Sequence, residues 1–512
     1  MFVKCYAGTI VGIKAVKVDV EVNLTGGGLG LFLVGLPDNA IKESEQRIRS
    51  AFENSQRRMT AKKVVVNLAP ADLRKEGSGF DLPIAVGILA ATSQVLDTQL
   101  ADTMFVGELS LDGSIKAVRG VLPIAAMAKE CGMRRLVVSA DNSREAAVIE
   151  GLDIIAVKSL REVIEYLNGD IDIEPQPTID IESNITTNTP FGEDFADVKG
   201  QQFAKRALEI AAAGGHNVLM IGAPGSGKTM LARRMPTIMP PMSLDEAIEA
   251  TKIHSVAGKL KEQCGLLTSR PFRAPHHLTS QVALIGGGQS PQPGEVSLAH
   301  NGILFLDELP EFGRNVLEVL RQPLEDRSIT ISRAKYSVEY PSNFTLIGAM
   351  NPCPCGYYNH PTKECSCQPF AIHRYFARIS GPLLDRIDMH IEVTPVAVSD
   401  LSAKSQEESS AEIRQRVIRA RAIQSKRFAD TGIHSNAMMN SAMLRTFCPL
   451  APEVQSLLER AMERLNLSAR AYDRIIKVAR TIADLAGEES ISTKHIAEAI
   501  NYRSLDRENW GR

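Results

Sequence analysis

The feature that most constrains this chain is the octapeptide Gly222-Ala223-Pro224-Gly225-Ser226-Gly227-Lys228-Thr229. It fits the G-x-x-x-x-G-K-[ST] phosphate-binding loop at every position. Before it, Asn217-Val218-Leu219-Met220-Ile221 reads as a short buried strand, and after it 230–234 reads as the start of a helix. The glycines let the backbone turn tightly and set N–H groups against phosphate oxygens. The following helix adds the positive end of its dipole. In such a loop Lys228 reaches the β- and γ-phosphates and the Thr229 hydroxyl ligates Mg²⁺. A chance glycine-rich turn is the alternative, and the flanking strand and helix disfavour it.

A second run, Gly302-Ile303-Leu304-Phe305-Leu306-Asp307-Glu308, is apolar and ends in two carboxylates. An apolar run this short fits a strand buried on both faces of a parallel sheet. Ligands bind beyond the carboxyl ends of such strands. Asp307 is then expected to hold Mg²⁺ through water, and Glu308 to orient and polarise the attacking water. A core strand that merely ends in an acidic turn is common in isolation. Downstream of a phosphate loop, the pair implies hydrolysis of ATP, with ATP and Mg²⁺ as cofactors.

The bulk numbers narrow the setting. A chain of 512 residues suggests two to four domains. With 44% hydrophobic and 23% charged residues it has an ordinary globular composition. A net charge of −2 gives no overall bias towards nucleic acid or membrane, so any DNA contact must come from local patches. No stretch is long and apolar enough to span a bilayer. The N-terminus lacks a signal-peptide pattern, so the expected location is the cytoplasm. Of eight cysteines, Cys5, Cys131, Cys264 and Cys448 are scattered, while Cys353, Cys355, Cys365 and Cys367 cluster. In a reducing compartment a cluster points to metal before disulfides. Four thiolates suit structural zinc in a closed tetrahedral site. The C-x-C spacing is tighter than C-x-x-C, so four reduced thiols stand as the alternative, with His360 and His373 as spare ligands.

Taken in order, residues 1–168 alternate strand-like stretches (16–22, 31–35, 63–68, 136–138, 154–157) with helical ones (44–54, 84–92). This is an α/β domain. Residues 169–190 carry five acids and no Lys or Arg. Such composition cannot bury enough apolar surface to fold alone, so a flexible acidic linker is expected. An ATPase core follows over 191–394. From 395 to 512 the pattern turns helical, with amphipathic stretches at 409–429, 454–465, 469–486 and 493–502. Arg414, Arg416, Arg419, Arg421, Lys426 and Arg427 make the first of these basic, suited to DNA, to a neighbouring subunit or simply to solvent. Trp510 sits in the tail.

Longer motifs carry a resemblance. Lys75-Glu76-Gly77-Ser78-Gly79 and Gly107-Glu108-Leu109-Ser110-Leu111-Asp112-Gly113 resemble the Lon-protease proteolytic fold. Gly79 stands where those proteases carry the serine nucleophile. A shifted dyad of Ser78 with Lys116 or Lys129 would need hydrogen-bond reach, so a proteolytically inactive domain is expected. Asp197-Val198-Lys199-Gly200-Gln201, before a helix at 204–213, resembles the adenine-flanking lead-in of AAA+ ATPases. Arg270-Pro271-Phe272-Arg273-Ala274-Pro275-His276-His277, the glycines 286–288, the run 293–302 and Asp307-Glu308-Leu309-Pro310-Glu311-Phe312 resemble the magnesium-chelatase-like AAA+ proteins. With a Lon-like domain in front, the whole chain resembles the ComM, or YifB, family of bacteria.

The resemblance implies a fold of three parts: an N-terminal Lon-protease-like (S5 domain 2-like) α/β domain, an AAA+ P-loop core with a parallel sheet, and a C-terminal helical lid. It implies Asn351 as first sensor and Arg470 as second sensor, with Arg474 as its competitor. Arg386 matches an arginine finger given in trans within a homo-oligomeric, hexameric ring. A hairpin over 328–340 would bring Arg333 and Lys335 to DNA phosphates. Arg270, Arg273, His276 and His277, in an insertion at 255–288, are weaker candidates. The implied function is a ring-forming, ATP-hydrolysing motor on single-stranded or branched DNA, a helicase for branch migration of recombination intermediates in natural transformation. The alternatives are a chelatase-type motor driving metal insertion with a partner, an ATP-dependent Lon-like protease, and a nucleotide-binding scaffold without turnover.

Overall fold

The computed structural model describes residues 1–26, 28, 30–178, 192–260, 265–288, 291–333, 336–395, 407–465 and 467–503. Lys335, Trp510, the side chain of Arg333 and residues 179–190 of the acidic stretch lie outside the described residues. The chain forms two compact units, Met1–Asn184 with Leu244–Thr268, and Ile185–Ser243 with Ser269–Arg512. Both are α/β, as expected.

The first unit is built on a seven-stranded mixed sheet. Its strand order is Gly30–Val34, Lys63–Ala69, Lys14–Thr25, Phe2–Val11, Thr103–Phe105, Arg135–Ser139 and Asp153–Val157. In Lys14–Thr25 the alternation decides the faces: Val18, Val20 and Val22 are buried while Lys17, Asp19 and Glu21 between them keep solvent access. The helix Asp81–Ala91 is buried along its whole length, so it is a core helix and not an amphipathic one. Its buried Asp81 is held by Arg47, at 2.6 and 3.0 Å, and by the Leu109 N–H at 3.2 Å. The start of the acidic stretch rests on this unit through Ile171 and Ile173. The Ser78 hydroxyl donates to the Glu108 carboxylate, and Lys116 and Lys129 are exposed. The Gly79 position faces Val106 and Val118.

Residues 244–268, read from sequence as part of the ATPase core, pack with the first unit. The helix Leu244–Val256 lies against the helix Val121–Glu130 and buries Ala247, Ala250, Ile253 and Val256. A polar anchor fixes it. Buried Glu145 accepts from the Leu122 N–H at 2.8 Å, from Asn142 at 3.3 Å and from the Ser255 hydroxyl.

The second unit holds a five-stranded parallel sheet in the order Phe272–Arg273, Ile303–Leu306, Thr345–Met350, Val218–Ile221 and Met389–Glu392. Every residue of the three central strands is buried, which is why they read as unbroken apolar runs. Helices Ser410–Arg427, Pro452–Leu465, Ala469–Ala486 and Thr493–Asn501 share one apolar core with the sheet. Inside these helices Asp484, 2% exposed, accepts from Arg427 at 2.9 and 2.5 Å, from Arg480 at 3.1 Å and from Asn436 at 2.8 Å. Removing one member of a buried ion network leaves uncompensated charge. Asp484→Ala is therefore expected to cost roughly 3–5 kcal/mol in denaturant unfolding, where an exposed Asp430→Ala change should cost little.

Candidate nucleotide-binding site

The phosphate loop leaves the strand Val218–Ile221 and runs into the helix Lys228–Ile238. Gly225 and Gly227 have φ of +77° and +93°, a backbone that side chains other than glycine rarely adopt. Gly222 has no room for a Cβ, which would fall 2.3 Å from the Val393 carbonyl oxygen. The Lys228 ammonium donates to the carbonyls of Gly222 at 2.7 Å and Ala223 at 3.0 Å, and to Asn351 Oδ1 at 3.3 Å. Burial lowers its pKa, and the Asp307 charge opposes that shift. The lead-in segment is tied to the same loop, since Gln201 Nε2 donates to the Ser226 carbonyl at 3.2 Å.

Three neighbouring strands deliver the remaining groups at their carboxyl ends. Thr229 Oγ1 donates to Asp307 Oδ2 at 2.7 Å. These are two hard oxygen donors side by side, the chemistry that Mg²⁺ requires. Glu308 takes a left-handed backbone (φ +52°) and its N–H donates to Asp307 Oδ1 at 2.9 Å. Strain of this kind collects at functional positions. The Glu308 carboxylate meets His277 Nδ1 at 3.1 Å. From sequence, His277 was only one of four weak candidates. Its pairing with Glu308 depends on the edge strand Phe272–Arg273, a two-residue element too short to announce itself.

The base of the site rests on a buried polar clasp. Asn217 Oδ1 accepts from the Leu346 N–H, and the Asn217 N–H donates to Asp388 Oδ2, both at 2.8 Å. One side chain thus ties the phosphate-loop strand to its neighbour. A lone polar residue at the mouth of an apolar run was the available signal. Asp388 also pairs with Arg474 and lies 3.9 Å from His216. Arg474 is therefore engaged in the core, while Arg470 is exposed at the start of the helix Ala469–Ala486. Arg386 is 7% exposed; it donates to Glu325 and, at 2.8 Å, to the Pro382 carbonyl. It lines an open cleft of about 390 Å³ with Glu325, Asp326 and Arg321.

The other cationic candidates divide in the same way. Arg273 forms a two-pronged pair with Glu295 at 2.6 and 2.7 Å, and Arg270 donates to the carbonyls of Pro240, Pro241 and Asn301. On the helix Ser410–Arg427, Arg416 binds Glu209 and Glu408, and Arg427 binds Asp484, whereas Arg419 and Lys426 are exposed. The hairpin is present as Ser328–Arg333 paired with Tyr336–Pro341. The sulfurs of Cys353, Cys355, Cys365 and Cys367 all lie within 4.8 Å of one another, a set that can hold a metal ion. His360 Nδ1 accepts instead from the Thr362 and Lys363 N–H groups. Among the described residues no helix is long and apolar enough to cross a membrane.

Two buried groups give the clasp a pH signature. Burial pushes the Asp388 carboxyl up, but Arg474, His216 and the Asn217 N–H outweigh it and bring it to about 2. Its folded pKa lies below the unfolded value of about 3.9. Its contribution, about 2 kcal/mol, is therefore present above pH ~4 and lost as pH falls towards 2. Asp388→Asn should flatten the stability curve in that window. Burial also lowers His216 to about 4. The unfolded chain then binds more protons between about pH 6.5 and 4, so stability falls with acid there too. In pH-dependent denaturation His216→Gln should flatten this upper window and also weaken the Asp388 contribution below it, because His216 helps to hold the Asp388 pKa down.

Comparison with known families agrees with the geometry. The family of magnesium chelatase, subunit ChlI, matches residues 194–401, and its C-terminal family matches 407–503. A further family, subunit ChlI of Mg-chelatase, matches 20–142. The competence protein ComM of Haemophilus influenzae is 45% identical over 98% of this chain and 97% of its own length. The YifB protein of Escherichia coli is 43% identical over 97% of this chain and 96% of its own. The magnesium-chelatase 67 kDa subunit of Heliobacterium mobile is 29% identical over 32% of this chain and 29% of its own. The chain belongs to the ComM/YifB family of magnesium-chelatase-like AAA+ proteins.

Proposed function

We propose that this chain is an ATP hydrolase that assembles into a ring and moves on DNA. The observation that carries the reading is the convergence of Lys228, Thr229, Asp307 and Asn351 at the ends of three adjacent parallel strands. The backbone N–H groups of the loop and Lys228 take the β- and γ-phosphates. Thr229 and Asp307 hold Mg²⁺, which neutralises charge on the phosphate oxygens when bound. Glu308 orients the attacking water and polarises it, and His277 fixes the Glu308 carboxylate. Asn351 positions the water or the γ-phosphate. Arg470 reaches phosphate from the lid. Arg386 acts in trans, in a hexamer, once a neighbouring subunit's phosphate displaces Glu325 as its partner.

The DNA part rests on less. The hairpin lies in the chain between two sheet strands and carries Arg333 and Lys335 as its candidate phosphate contacts. The name of the Haemophilus relative links it to competence. Branched or single-stranded DNA in recombination intermediates is the substrate in this reading, with helicase and branch-migration activity in the cytoplasm during natural transformation. The cysteine cluster takes zinc as a closed structural site. A chelatase-type role is less supported, because the chelatase relatives are 29% and 23% identical over 32% and 60% of this chain, against 45% over 98% for the Haemophilus protein. A proteolytic role is disfavoured by Gly79 at the position of the serine nucleophile, and the neighbouring Ser78 hydroxyl donates to the Glu108 carboxylate.

Steady-state ATP hydrolysis with no DNA, single-stranded DNA, duplex or a four-way junction tests the motor. Stimulation by single-stranded or branched DNA, absent in Lys228→Ala, is expected. Turnover indifferent to every DNA would overturn the DNA part and favour the chelatase-type alternative. In the same assay His277→Ala should lower kcat roughly tenfold with ATP affinity nearly unchanged, the pattern for a group that acts only in the transition state.

A further inference from the structure

The strand Thr345–Met350 delivers Asn351 to Lys228, and the next helix begins only at Pro369. The eighteen residues between strand and helix have no regular secondary structure. Irregular connections of this length are uncommon in compact folds unless something orders them. This one has little core of its own: Pro352, Cys353 and Gly356 are buried, but every residue from Pro361 to Pro369 other than Cys365 and Cys367 is exposed.

The cysteines supply the order. Cys353 Sγ lies 3.3 Å from Cys355 Sγ and 3.7 Å from Cys365 Sγ, and Cys355 Sγ lies 3.6 Å from Cys365 Sγ. A tetrahedron with zinc–sulfur bonds of about 2.3 Å has edges of about 3.8 Å, so these separations suit one ion. An iron–sulfur cluster spreads its cysteines over several irons and needs them farther apart. Backbone N–H groups point at the sulfurs, from Cys355 to Cys367 Sγ at 3.4 Å and from Tyr358 to Cys353 Sγ at 3.3 Å. Such bonds favour the thiolate form that a metal binds.

The same knuckle touches the phosphate loop. Gly356, immediately after Cys355, has φ +84° and packs on Pro224; a Cβ there would lie 2.5 Å from Pro224 Cδ and 2.7 Å from its Cγ. At the start of the loop, Asn351 stands two residues before Cys353 and accepts from Lys228 at 3.3 Å. The cluster therefore sits between two walls of the nucleotide site, the Pro224 turn and the Asn351 tip.

We propose that a single zinc ion held by Cys353, Cys355, Cys365 and Cys367 sets the shape of the nucleotide pocket, by pressing Gly356 against Pro224 and fixing Asn351 beside Lys228. This rests on the reading of the cluster as a zinc site and adds what the metal does. Binding replaces the thiol protons with the ion, and no oxidation is involved.

The test uses full-length protein and two readouts, zinc content and affinity for a fluorescent ATP analogue with Mg²⁺ present. Wild type should carry about one zinc per chain. Cys365→Ser with Cys367→Ser should lose it and bind the analogue about tenfold more weakly, the scale expected for a small displacement of a positioning group. Wild-type protein stripped with phenanthroline and returned to Mg²⁺ buffer should show the same loss, reversed by added Zn²⁺. This arm holds even if the double variant folds poorly. Gly356→Ala should keep its zinc and still lose affinity. Cys131→Ser should change neither readout. Wild type without zinc would overturn the metal site itself. Zinc present in wild type, with stripped protein binding the analogue normally, would overturn the coupling and leave the zinc reading intact.

Discussion

The hydrogen bond from Thr229 to Asp307 holds the second unit's chemistry together. It joins the first turn of the helix after the phosphate loop to the tip of a strand that is not its direct neighbour in the sheet. It can form only if the strand between them is in register, and that strand brings Asn351 to Lys228. Three strand ends and one helix start are thus made mutually dependent by two hydrogen bonds. The all-apolar strands make this affordable, because nothing on either face competes for the polar groups at the tips.

Charge is handled differently below the site and above it. At the amino ends of the strands, Asp388 is deeply buried and balanced by Arg474 and by a backbone N–H. This places a fixed, compensated charge under the phosphate-loop strand. At the rim, Glu308 meets His277 and is well exposed. Buried pairs specify geometry, and half-exposed carboxylates remain able to act on a water molecule. The arginines follow the same division. Arg270 and Arg273, weaker candidates for DNA contact, and Arg474, the competitor of Arg470 as second sensor, are held by carbonyls and carboxylates of the fold.

How much was legible follows from this. Strands 218–221, 303–306 and 345–350 were readable because burial on both faces leaves an unbroken apolar run bounded by polar tips. The helix Ser44–Asn54 and the lid helices followed from their 3.6-residue period. The strand Phe2–Val11 was missed because its inward residues are Val3, Cys5, Ala7 and Thr9, small or weakly apolar, so its alternation is faint. The excursion of 244–268 was missed for another reason: an amphipathic helix declares that it has a partner, not which one. Pairings such as His277 with Glu308, or Arg386 with Glu325, join residues 31 and 61 positions apart. They depend on where the chain folds back, and no local pattern records that. The phosphate loop and its acids were legible because phosphate chemistry dictates residue types at fixed spacing.

The excursion has a consequence for how such a chain is inherited. The polypeptide passes between its two units three times, after residues 184, 243 and 268. What looks in sequence like a cassette fused to the front of an AAA+ core is interleaved with it along the chain. Cutting away 1–184 would leave Ala247, Ala250 and Ile253 without the surface that covers them, and would deprive Ser255 of Glu145. A gene rearrangement that exchanged only the leading segment would keep Ser255 and lose the Glu145 that it matches. The helix Leu244–Val256 must therefore track changes in a part of its own unit that lies more than a hundred residues earlier in the chain.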